Sequence, residues 1–489
     1  MTTHFSRRGF LAATAAATMG GLISPRPIFA ATQTPTNLTI ERRILEVLGK
    51  PASVFGIRQP NGEHGLALDP GQRFLLNVDN RAGEDAVIHW HGQTPPYLQD
   101  GVADANRPLI KSGTSARYDF TPRTGTHWMH SHHGLQEQLL MAAPLIVRAP
   151  EYLRDDAQEV TVLLHDFTFK DPAEVLAGLT GGAMAHGGHG MDHAAMGHGA
   201  PSPVSSSPPA ALGMPMDLND VDYDAYLAND RTLEDPQVVA VERGGRVRLR
   251  LINGATSTAF HIDLGRLEGT VIAADGNPVH PAPSGRLVGI AMGQRLDILI
   301  RLPAESGAFP ILAQREGDLR RTGIILATPG ASVGKIASQA DADAVVGPVD
   351  LGLEKRLRAV TPMDAKPVDV SFTVALTGGM APYVWSIDDA VFGRHRPLTV
   401  SKGRRVAITM VNRSAMAHPM HLHGHHFQVT ALNGEPLAGA VRDTVLVPAD
   451  GSVAIAFDAD NPGRWPLHCH NLLHMATGMM TEVVYDDFV

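Results

Sequence analysis

Three stretches of the chain share one pattern: GQRFLLNVDN at residues 71–80, GGRVRLRLIN at residues 244–253 and GRRVAITMVN at residues 403–412. Each begins with glycine, has arginine third and ends in asparagine. Between these positions apolar residues recur mainly at every second position, which is typical of a half-buried β-strand and not of a helix. The copies start 173 and 159 residues apart. Three such copies, separated by many turn-forming glycines and prolines, predict an all-β fold of three consecutive β-sandwich domains.

Composition and charge exclude several other classes of protein. Hydrophobic residues make up 44% of the 489 residues and charged residues 19%, as in folded globular proteins and unlike disordered or collagen-like chains. The 41 basic and 50 acidic residues give a formal charge of -9, so no nucleic-acid partner is expected. The one cysteine, Cys469, excludes an intrachain disulfide and any iron–sulfur or zinc site that needs several thiolates. It still allows one thiolate with a functional role.

The N-terminus has the order of a twin-arginine signal peptide. SRRGFL at residues 6–11 precedes an apolar stretch that ends at Ile23, and small residues follow around Ala30. We expect residues 1–30 to be cleaved, with export by the twin-arginine machinery and a periplasmic mature protein. An uncleaved membrane anchor is the alternative, but the apolar stretch spans about 14 residues, fewer than the roughly 20 that a membrane-spanning helix needs. No stable membrane insertion is expected.

The repeats divide the rest of the chain into domains. We expect a first domain at residues 31–150, a second at 151–330, a linker at 331–364 and a third domain at 365–489. Within the second domain, residues 181–216 fit no packed core, because glycine, alanine, serine and proline dominate there. Methionine and histidine interrupt this stretch at Met184, His186, His189, Met191, His193, Met196, His198, Met214 and Met216. We predict a Met/His-rich loop here.

Histidine is common, and 10 of the 24 histidines fall in four short clusters near the first and third repeats. Each cluster contains a His-x-His pair: His89 and His91, His130 and His132, His421 and His423, and His468 and His470. On a strand, residues two apart point to the same face, so each pair presents two imidazoles toward one point. Eight imidazoles are too many for one metal ion but suit two or three copper ions, which imidazole binds strongly.

The spacing of the pairs predicts how they meet. His89 lies nine residues after Asn80, and His421 lies nine residues after Asn412, so the two occupy equivalent positions in their domains. The first and third domains therefore carry matching half-sites, and we expect them to close into one cluster at a domain interface. The second repeat has His261 near the comparable place, where a lone histidine is usually structural. The second domain is expected to act as a spacer.

Cys469 stands between His468 and His470, and on a strand it must point to the opposite face from both. On that face His418, His474 and Met479 supply two imidazoles and a soft thioether beside the thiolate. This is the donor set of a blue-copper electron-transfer centre. The equivalent residue in the first domain is Ser131, which cannot act as a thiolate, so one such centre is expected.

The four clusters, in this order and at these separations, resemble the signature of the three-domain multicopper oxidases, the group that contains laccases and bacterial copper-resistance oxidases. The resemblance covers essentially the whole mature chain and implies three cupredoxin-like Greek-key domains and four copper ions. It implies a type 2 copper on His89 and His421. It implies a type 3 pair on His91, His130, His132, His423, His468 and His470. It implies a type 1 copper on Cys469, His418, His474 and Met479.

The resemblance also implies a reaction. A reducing substrate would give single electrons to the type 1 copper, and after four transfers dioxygen would be reduced to water at the other three coppers. Asp100 lies eleven residues after His89, where the family carries an acid that helps deliver protons; a solvated turn aspartate is the alternative reading. Met475 departs from the pattern, because some bacterial members carry a glutamate there in a second proton path.

The reducing substrate is the least determined part. Thioether and imidazole donors in the Met/His-rich loop suit Cu(I), which favours a periplasmic cuprous oxidase of copper tolerance. A laccase that oxidises phenols is the first alternative, and a non-catalytic copper-binding or scaffold protein of the same fold is another. A copper-storage protein and a copper nitrite reductase are further alternatives. All ligands come from one chain, so a monomer is expected.

Overall fold

The computed structural model describes residues 34–104, 106–181 and 218–488. The predicted signal peptide and nearly all of the predicted Met/His-rich loop lie outside these residues. Strands account for 47% of the described residues and helices for 6%, which confirms the all-β class. None of the helices within the described residues is both long and apolar enough to cross a membrane.

The first region has eight strands: β1 Thr36–Val47, β2 Lys50–Arg58, β3 Leu66–Leu68, β4 Phe74–Arg81, β5 Ile88–His89, β6 Ser115–Phe120, β7 Gly125–Ser131 and β8 Ala142–Val147. They form two sheets, with strand orders β2-β1-β4-β6 and β3-β8-β7-β5. Short 3-10 helices lie at Tyr97–Gln99 and Gln136–Leu139. The inner faces of both sheets share one buried apolar cluster, which includes Leu38, Phe74, Trp90 and Met141.

Outside residues 182–217, the middle region has eleven strands and one helix: β9 Gln158–Phe167, α1 Pro172–Leu179, β10 Ala225–Ala228, β11 Val238–Ala240, β12 Arg246–Asn253, β13 Phe260–Asp263, β14 Gly269–Ala274, β15 Asn277–Pro283, β16 Leu287–Ile290, β17 Arg295–Arg301, β18 Ala308–Arg315 and β19 Arg321–Ala327. Its sheets run β10-β9-β12-β17-β14-β15 and β11-β19-β18-β13-β16. Helix α1 begins at Pro172 because Asp171 caps it, accepting a hydrogen bond from the Ala173 amide. Leu176 and Leu179 of this helix pack against the apolar core of the third region.

The third region follows a 3-10 helix at Glu354–Arg356. Its strands and helix are β20 Val370–Met380, β21 Tyr383–Ile387, β22 Leu398–Val400, β23 Arg405–Asn412, β24 His418–Leu422, β25 Phe427–Leu432, β26 Glu435–Pro436, β27 Val441–Arg442, β28 Thr444–Val447, β29 Ser452–Asp458, β30 Arg464–Cys469, α2 Leu472–Thr477 and β31 Met480–Tyr485. One sheet runs β21-β20-β23-β29-β25-β26, with β27 paired to β25, and the other runs β22-β31-β30-β24-β28. The bounds of the three domains stay a prediction.

The repeated stretch forms the same element in all three regions. It contains β4, β12 and β23, each of which pairs in parallel with the long first strand of its region, β1, β9 or β20. On its other side each pairs antiparallel with a later strand, β6, β17 or β29. The internal repeat is therefore a repeat of sheet topology as well as of sequence.

The asparagine that ends each repeat has a structural cause. The side-chain amide of Asn80 donates to the carbonyls of Glu84 and Ile110, and its oxygen accepts from the amide two residues later. Asn253 and Asn412 each make the same kinds of contact: a near carbonyl, a carbonyl more than 30 residues away and the amide two residues on. All three are buried, so these bonds satisfy groups that water cannot reach. The asparagine thus fixes the corner that leads into the next strand.

Candidate metal centres

The His-x-His pairs lie on neighbouring strands in matching register. His89 of β5 stands opposite His130 of β7, and His421 of β24 stands opposite His468 of β30. The first and third regions therefore present equivalent half-sites, as the spacing predicts. Sheet pairing brings the two pairs of each half together, although they are tens of residues apart in sequence.

The two half-sites face each other across the interface between the regions. Nε2 of His89 lies 3.4 Å from Nε2 of His421. Nδ1 of His91 lies 3.2 Å from Nε2 of His470. Nε2 of His468 lies 2.9 Å from Nε2 of His423 and 3.5 Å from Nε2 of His132. We call the eight residues the histidine cluster: His89, His91, His130, His132, His421, His423, His468 and His470.

The histidine cluster has the chemistry of a metal site. Its donor atoms fall into compact groups, such as His132, His423 and His468, whose ligand atoms all lie within 4.8 Å of one another. Within the described residues, Nε2 of His130 and Nδ1 of His470 are buried without a hydrogen-bond partner. A buried polar atom without a partner is costly, and a bound metal ion would supply one. The residues present therefore fit copper ions.

Burial also sets the protonation state that metal binding needs. Removal from water, reinforced by neighbouring imidazoles, holds the pKa well below 6.5 for six members: His91, His130, His132, His423, His468 and His470. Burial also lowers the pKa of His421. Neutral imidazole is the form that binds a metal ion, so these seven residues are in the binding form before any metal arrives.

Backbone carbonyls fix the orientation of several rings. Nδ1 of His89 donates to the Asp100 carbonyl at 3.0 Å, and Nδ1 of His421 donates to the Asp443 carbonyl at 2.9 Å. Nδ1 of His468 donates in the same way to the Cys469 carbonyl at 2.9 Å. With Nδ1 occupied, Nε2 of each ring keeps a free lone pair toward the cluster.

Three buried acids surround the cluster. Asp100 accepts from Nδ1 of His423 at 2.9 Å and lies 3.4 Å from Nδ1 of His89. Glu137 lies 2.9 Å from Nδ1 of His130, and burial raises the pKa of this carboxyl well above its usual range. Asp443 accepts from Nε2 of His91 at 3.1 Å.

Sequence reasoning selected Asp100 and missed Glu137 and Asp443. The last two follow no spacing rule relative to the histidines. A weak signal exists for Asp443, since the charged pair Arg442 and Asp443 interrupts an otherwise apolar run near Val445.

A second centre lies on the other face of β30. Sγ of Cys469 is 3.7 Å from Nδ1 of His418 and 3.6 Å from Nδ1 of His474, and these two nitrogens are 3.1 Å apart. Met479 is fully buried and, like Cys469, belongs to the apolar core of the third region; its carbonyl accepts from the Cys469 amide. We call these four residues the thiolate centre. Burial raises the pKa of the Cys469 thiol, so the thiol is neutral until a metal ion displaces its proton.

Helix α2 returns His474 to Cys469. Asn471 caps this helix, and its side chain accepts from the amides of Leu473 and His474. The turn of helix carries His474 back over the strand end, where its ring stacks on Trp385 with 4.1 Å between ring centroids. Nε2 of His418 is held at 2.7 Å from Oγ of Ser414.

The middle region contributes to both centres, which corrects the expectation that it acts as a spacer. Asp220 lies 3.2 Å from Nε2 of His474 and also accepts from Tyr383 and Asn471. Arg295 forms a two-bond ion pair with Asp443. His261 lies near neither centre and donates to the Gly347 carbonyl, a structural role. Neither Asp220 nor Arg295 is visible from strand periodicity, because both act through contacts distant in sequence.

Comparisons with known proteins agree with this arrangement. Three family models described as multicopper oxidase match residues 42–152, 158–329 and 366–488. The multicopper oxidase MmcO of Mycobacterium tuberculosis is 31% identical over 85% of this chain and 80% of its own length. Copper resistance protein A of Pseudomonas syringae pv. tomato is 27% identical over 99% of each chain.

Solved structures show the same fold. Fet3p, a multicopper oxidase that functions in iron import, superposes with a TM-score of 0.73 at 18% identity, covering 92% of this chain and 90% of its own. A laccase from Botrytis aclada gives a TM-score of 0.71 at 21% identity over 92% and 87% of the two chains. Such neighbours are built from cupredoxin-like domains, which confirms the expected fold class.

Proposed function

The chain belongs to the multicopper oxidase family, and on that basis we propose that it oxidises Cu(I) and reduces dioxygen to water in copper tolerance. Members are oxidoreductases that hold four copper ions, one of type 1, one of type 2 and two of type 3. The proposed substrates are therefore Cu(I) and dioxygen, and the proposed compartment is the periplasm.

We propose the thiolate centre as the type 1 site and the histidine cluster as the other three. In the cluster, His89 and His421 would hold the type 2 copper. The remaining six histidines would hold the type 3 pair: His91, His130, His132, His423, His468 and His470. The convergence of donor nitrogens within 4.8 Å in each group supports this division.

The chain itself provides the route and the surroundings for the reaction. Copper, when bound, supplies the one-electron chemistry that these side chains lack. Cys469 is joined directly by main chain to His468 and His470, so the two centres are connected by a short covalent path. Asp100, in contact with His423 and close to His89, is the acid that we propose delivers protons to the cluster.

The observation that carries the choice of Cu(I) is the position of Asp220. This buried carboxylate contacts His474 at the thiolate centre and lies four residues after Met216, where the Met/His-rich stretch ends. The stretch itself, residues 182–216, lies outside the described residues. Its soft donors suit Cu(I). The first residues after the stretch include Asp220, which contacts a ligand of the proposed point of electron entry. Copper resistance protein A, a relative along 99% of this chain, supports the same choice.

Oxygen consumption by the copper-loaded protein tests the proposal, with Cu(I) and a phenol as parallel substrates. We expect faster turnover with Cu(I), and we expect deletion of residues 181–216 to raise the apparent KM for Cu(I) while the phenol rate stays unchanged. A matched variant keeps the length but replaces the five methionines of the stretch by serine: Met184, Met191, Met196, Met214 and Met216. Unchanged Cu(I) kinetics in both variants would exclude a recruiting role, and a faster phenol rate in the parent would favour a laccase.

Export has its own test. We expect residues 1–30 fused to a folded reporter to carry it to the periplasm. Replacing Arg7 and Arg8 by lysine should hold the reporter in the cytoplasm, because the twin-arginine pathway reads both guanidinium groups. Export of the double variant at the parent rate would contradict this route.

A further inference from the structure

Asp443 holds two different histidines of the cluster at once. Its side-chain Oδ1 accepts from Nε2 of His91 at 3.1 Å, and its main-chain carbonyl accepts from Nδ1 of His421 at 2.9 Å. The side chain is 1% exposed, so these bonds are shielded from bulk water. Oγ1 of Thr444 lies 3.1 Å from both of these ring nitrogens and donates to Oδ1 of Asp443 at 2.8 Å. Asp443, together with this hydroxyl, therefore sets the orientation of a proposed type 3 ligand and of a proposed type 2 ligand.

The carboxylate is itself clamped by Arg295 from the middle region. Nη1 and Nη2 of Arg295 donate to Oδ1 and Oδ2 of Asp443 at 2.7 and 2.5 Å, which is the two-bond geometry that fixes a carboxylate plane. The same guanidinium donates to the carbonyls of Thr126 in the first region and Gly293 in the middle region. Arg295 thus joins all three regions of the chain beside the cluster.

The backbone beside His91 is shaped to admit this pair. Gly92 has a φ of +87°, and a Cβ atom placed on it would lie 2.2 Å from Nη2 of Arg295 and 3.0 Å from Oδ2 of Asp443. A side chain at position 92 would therefore displace the ion pair. Because Gly92 has no side chain, the guanidinium of Arg295 can occupy the space beside His91.

We propose that Asp443, held by Arg295, is a positioning residue that makes His91 offer Nδ1 to the cluster. A neutral imidazole carries one N–H and one lone pair, so an acceptor on Nε2 leaves the lone pair on Nδ1. Nδ1 of His91 is the atom that lies 3.2 Å from Nε2 of His470, inside the cluster. The proposal rests on the copper assignment proposed above and extends it to a pair that links the middle region to copper binding.

The Asp443→Asn variant tests this directly. If the amide oxygen stays on His91, the amide NH2 group faces a guanidinium that can only donate. If the amide turns over, its NH2 group donates to Nε2 of His91 and forces the proton onto Nδ1, where it blocks metal binding. Either way the cluster should lose copper affinity by about 10- to 100-fold, the usual effect of removing such a supporting contact.

A matched control separates positioning from simple bracing of the regions. Arg43 and Asp230 form another mostly buried pair between the first and middle regions, at 2.8 Å, without touching either centre. Asp230→Asn removes one partner of that pair in the same way. Arg295→Lys is the conservative variant, because it keeps the charge near Asp443 but cannot make two parallel bonds.

The readouts are copper content per chain across a copper titration, the paramagnetic type 2 signal, the blue absorption and the midpoint of thermal unfolding of the copper-free protein. We expect Asp443→Asn to lose copper from the cluster and to alter the type 2 signal while the blue absorption remains. We expect Arg295→Lys to show a smaller loss. Asp230→Asn should unfold at a lower temperature and still bind four coppers with unchanged spectra.

The possible failures are distinguishable. If the parent protein binds no blue copper or fewer than four ions, the copper assignment itself fails. If the parent binds four and both cluster variants bind four with parent affinity and spectra, the positioning role is wrong. If Asp443→Asn does not fold, copper binding by Arg295→Lys decides between a positioning role and a purely structural one. If a cluster variant and Asp230→Asn change in the same way, the pair is only a structural brace.

Discussion

Asp220 and Asp443 are both buried carboxylates that contact the outer nitrogen of a proposed copper ligand, but their surroundings differ. Asp443, at the histidine cluster, is bound by the guanidinium of Arg295 through two bonds. Asp220, at the thiolate centre, is held by His474 and by neutral donors from Tyr383 and Asn471. The net effect of these partners outweighs burial and lowers the pKa of both carboxyls, so both are negative at neutral pH.

The difference separates two tasks of a carboxylate. At the histidine cluster the negative charge is compensated by a cation, so the contribution of Asp443 is geometry. At the thiolate centre no guanidinium compensates Asp220 among the residues that the structure describes, so its charge acts directly on the buried ring of His474. A negative charge beside this ligand favours positive charge at the thiolate centre, in line with the proposed Cu(I) substrate.

The strongest test of the separation between the centres is Cys469→Ser. Serine cannot supply a thiolate, so we expect the blue absorption and turnover to be lost, while the histidine cluster still binds three coppers. Copper content and optical spectra check this outcome. An intact blue band in the variant would contradict the assignment of the thiolate.

Asp100→Asn should affect the histidine cluster and leave the thiolate centre intact. The amide keeps the shape but cannot deliver a proton, so we expect turnover to fall by about 100-fold or more, the usual contribution of a positioned acid. Four coppers and a normal blue spectrum should remain. If this variant turned over at the rate of the parent protein, Asp100 would be a structural turn residue and not a proton donor.

Asp220→Asn should have a smaller effect, confined to the thiolate centre. Loss of the uncompensated charge should slow Cu(I) oxidation by about ten-fold, as for other contacts that support a ligand, and raise the reduction potential of the blue centre. Rates with Cu(I) and with a neutral phenol distinguish a charge effect from lost geometry. An equal loss for both substrates would argue against recognition of a cation.

The smallest expected effect is on the pH dependence of the free energy of unfolding, and it arises mainly from the histidine cluster. The pKa of His127 is lowered to about 3 and that of His425 to about 4 by burial, and most cluster histidines are also held well below 6.5. Below pH 6.5 the unfolded chain therefore binds protons that the folded chain does not. Each such histidine should therefore lower the free energy of unfolding by about 1.4 kcal/mol per pH unit as pH falls below about 6.5. The raised pKa of the Glu137 carboxyl acts in the opposite direction, because it removes stability as pH rises.

Thermal unfolding of the copper-free and copper-loaded proteins across pH 4 to 8 would measure this effect. Copper binds the neutral rings and adds its binding free energy to the folded state, so the loaded protein should keep its stability to lower pH. A copper-free protein with the same stability at pH 5 and pH 7 would contradict the burial of these histidines in neutral form.

Much of the fold and of the donor set could be predicted from sequence because both depend on the two-residue period of a strand. That period alone places His468 and His470 on one face and Cys469 on the other, and the equal spacing after Asn80 and Asn412 indicates that two regions meet. The supporting acids could not be predicted. Glu137, Asp220 and Asp443 reach their histidines through loops and neighbouring regions, where sequence spacing carries no distance information.

Asn253 makes the same corner as Asn80 and Asn412 but leads into a strand without any proposed ligand. The corner at Asn253 can therefore serve as a control, within the same chain, for the corners at Asn80 and Asn412 that lead to proposed ligands. Replacing each asparagine in turn would divide the contribution of the corner into a mechanical part, common to all three copies, and a part specific to metal uptake.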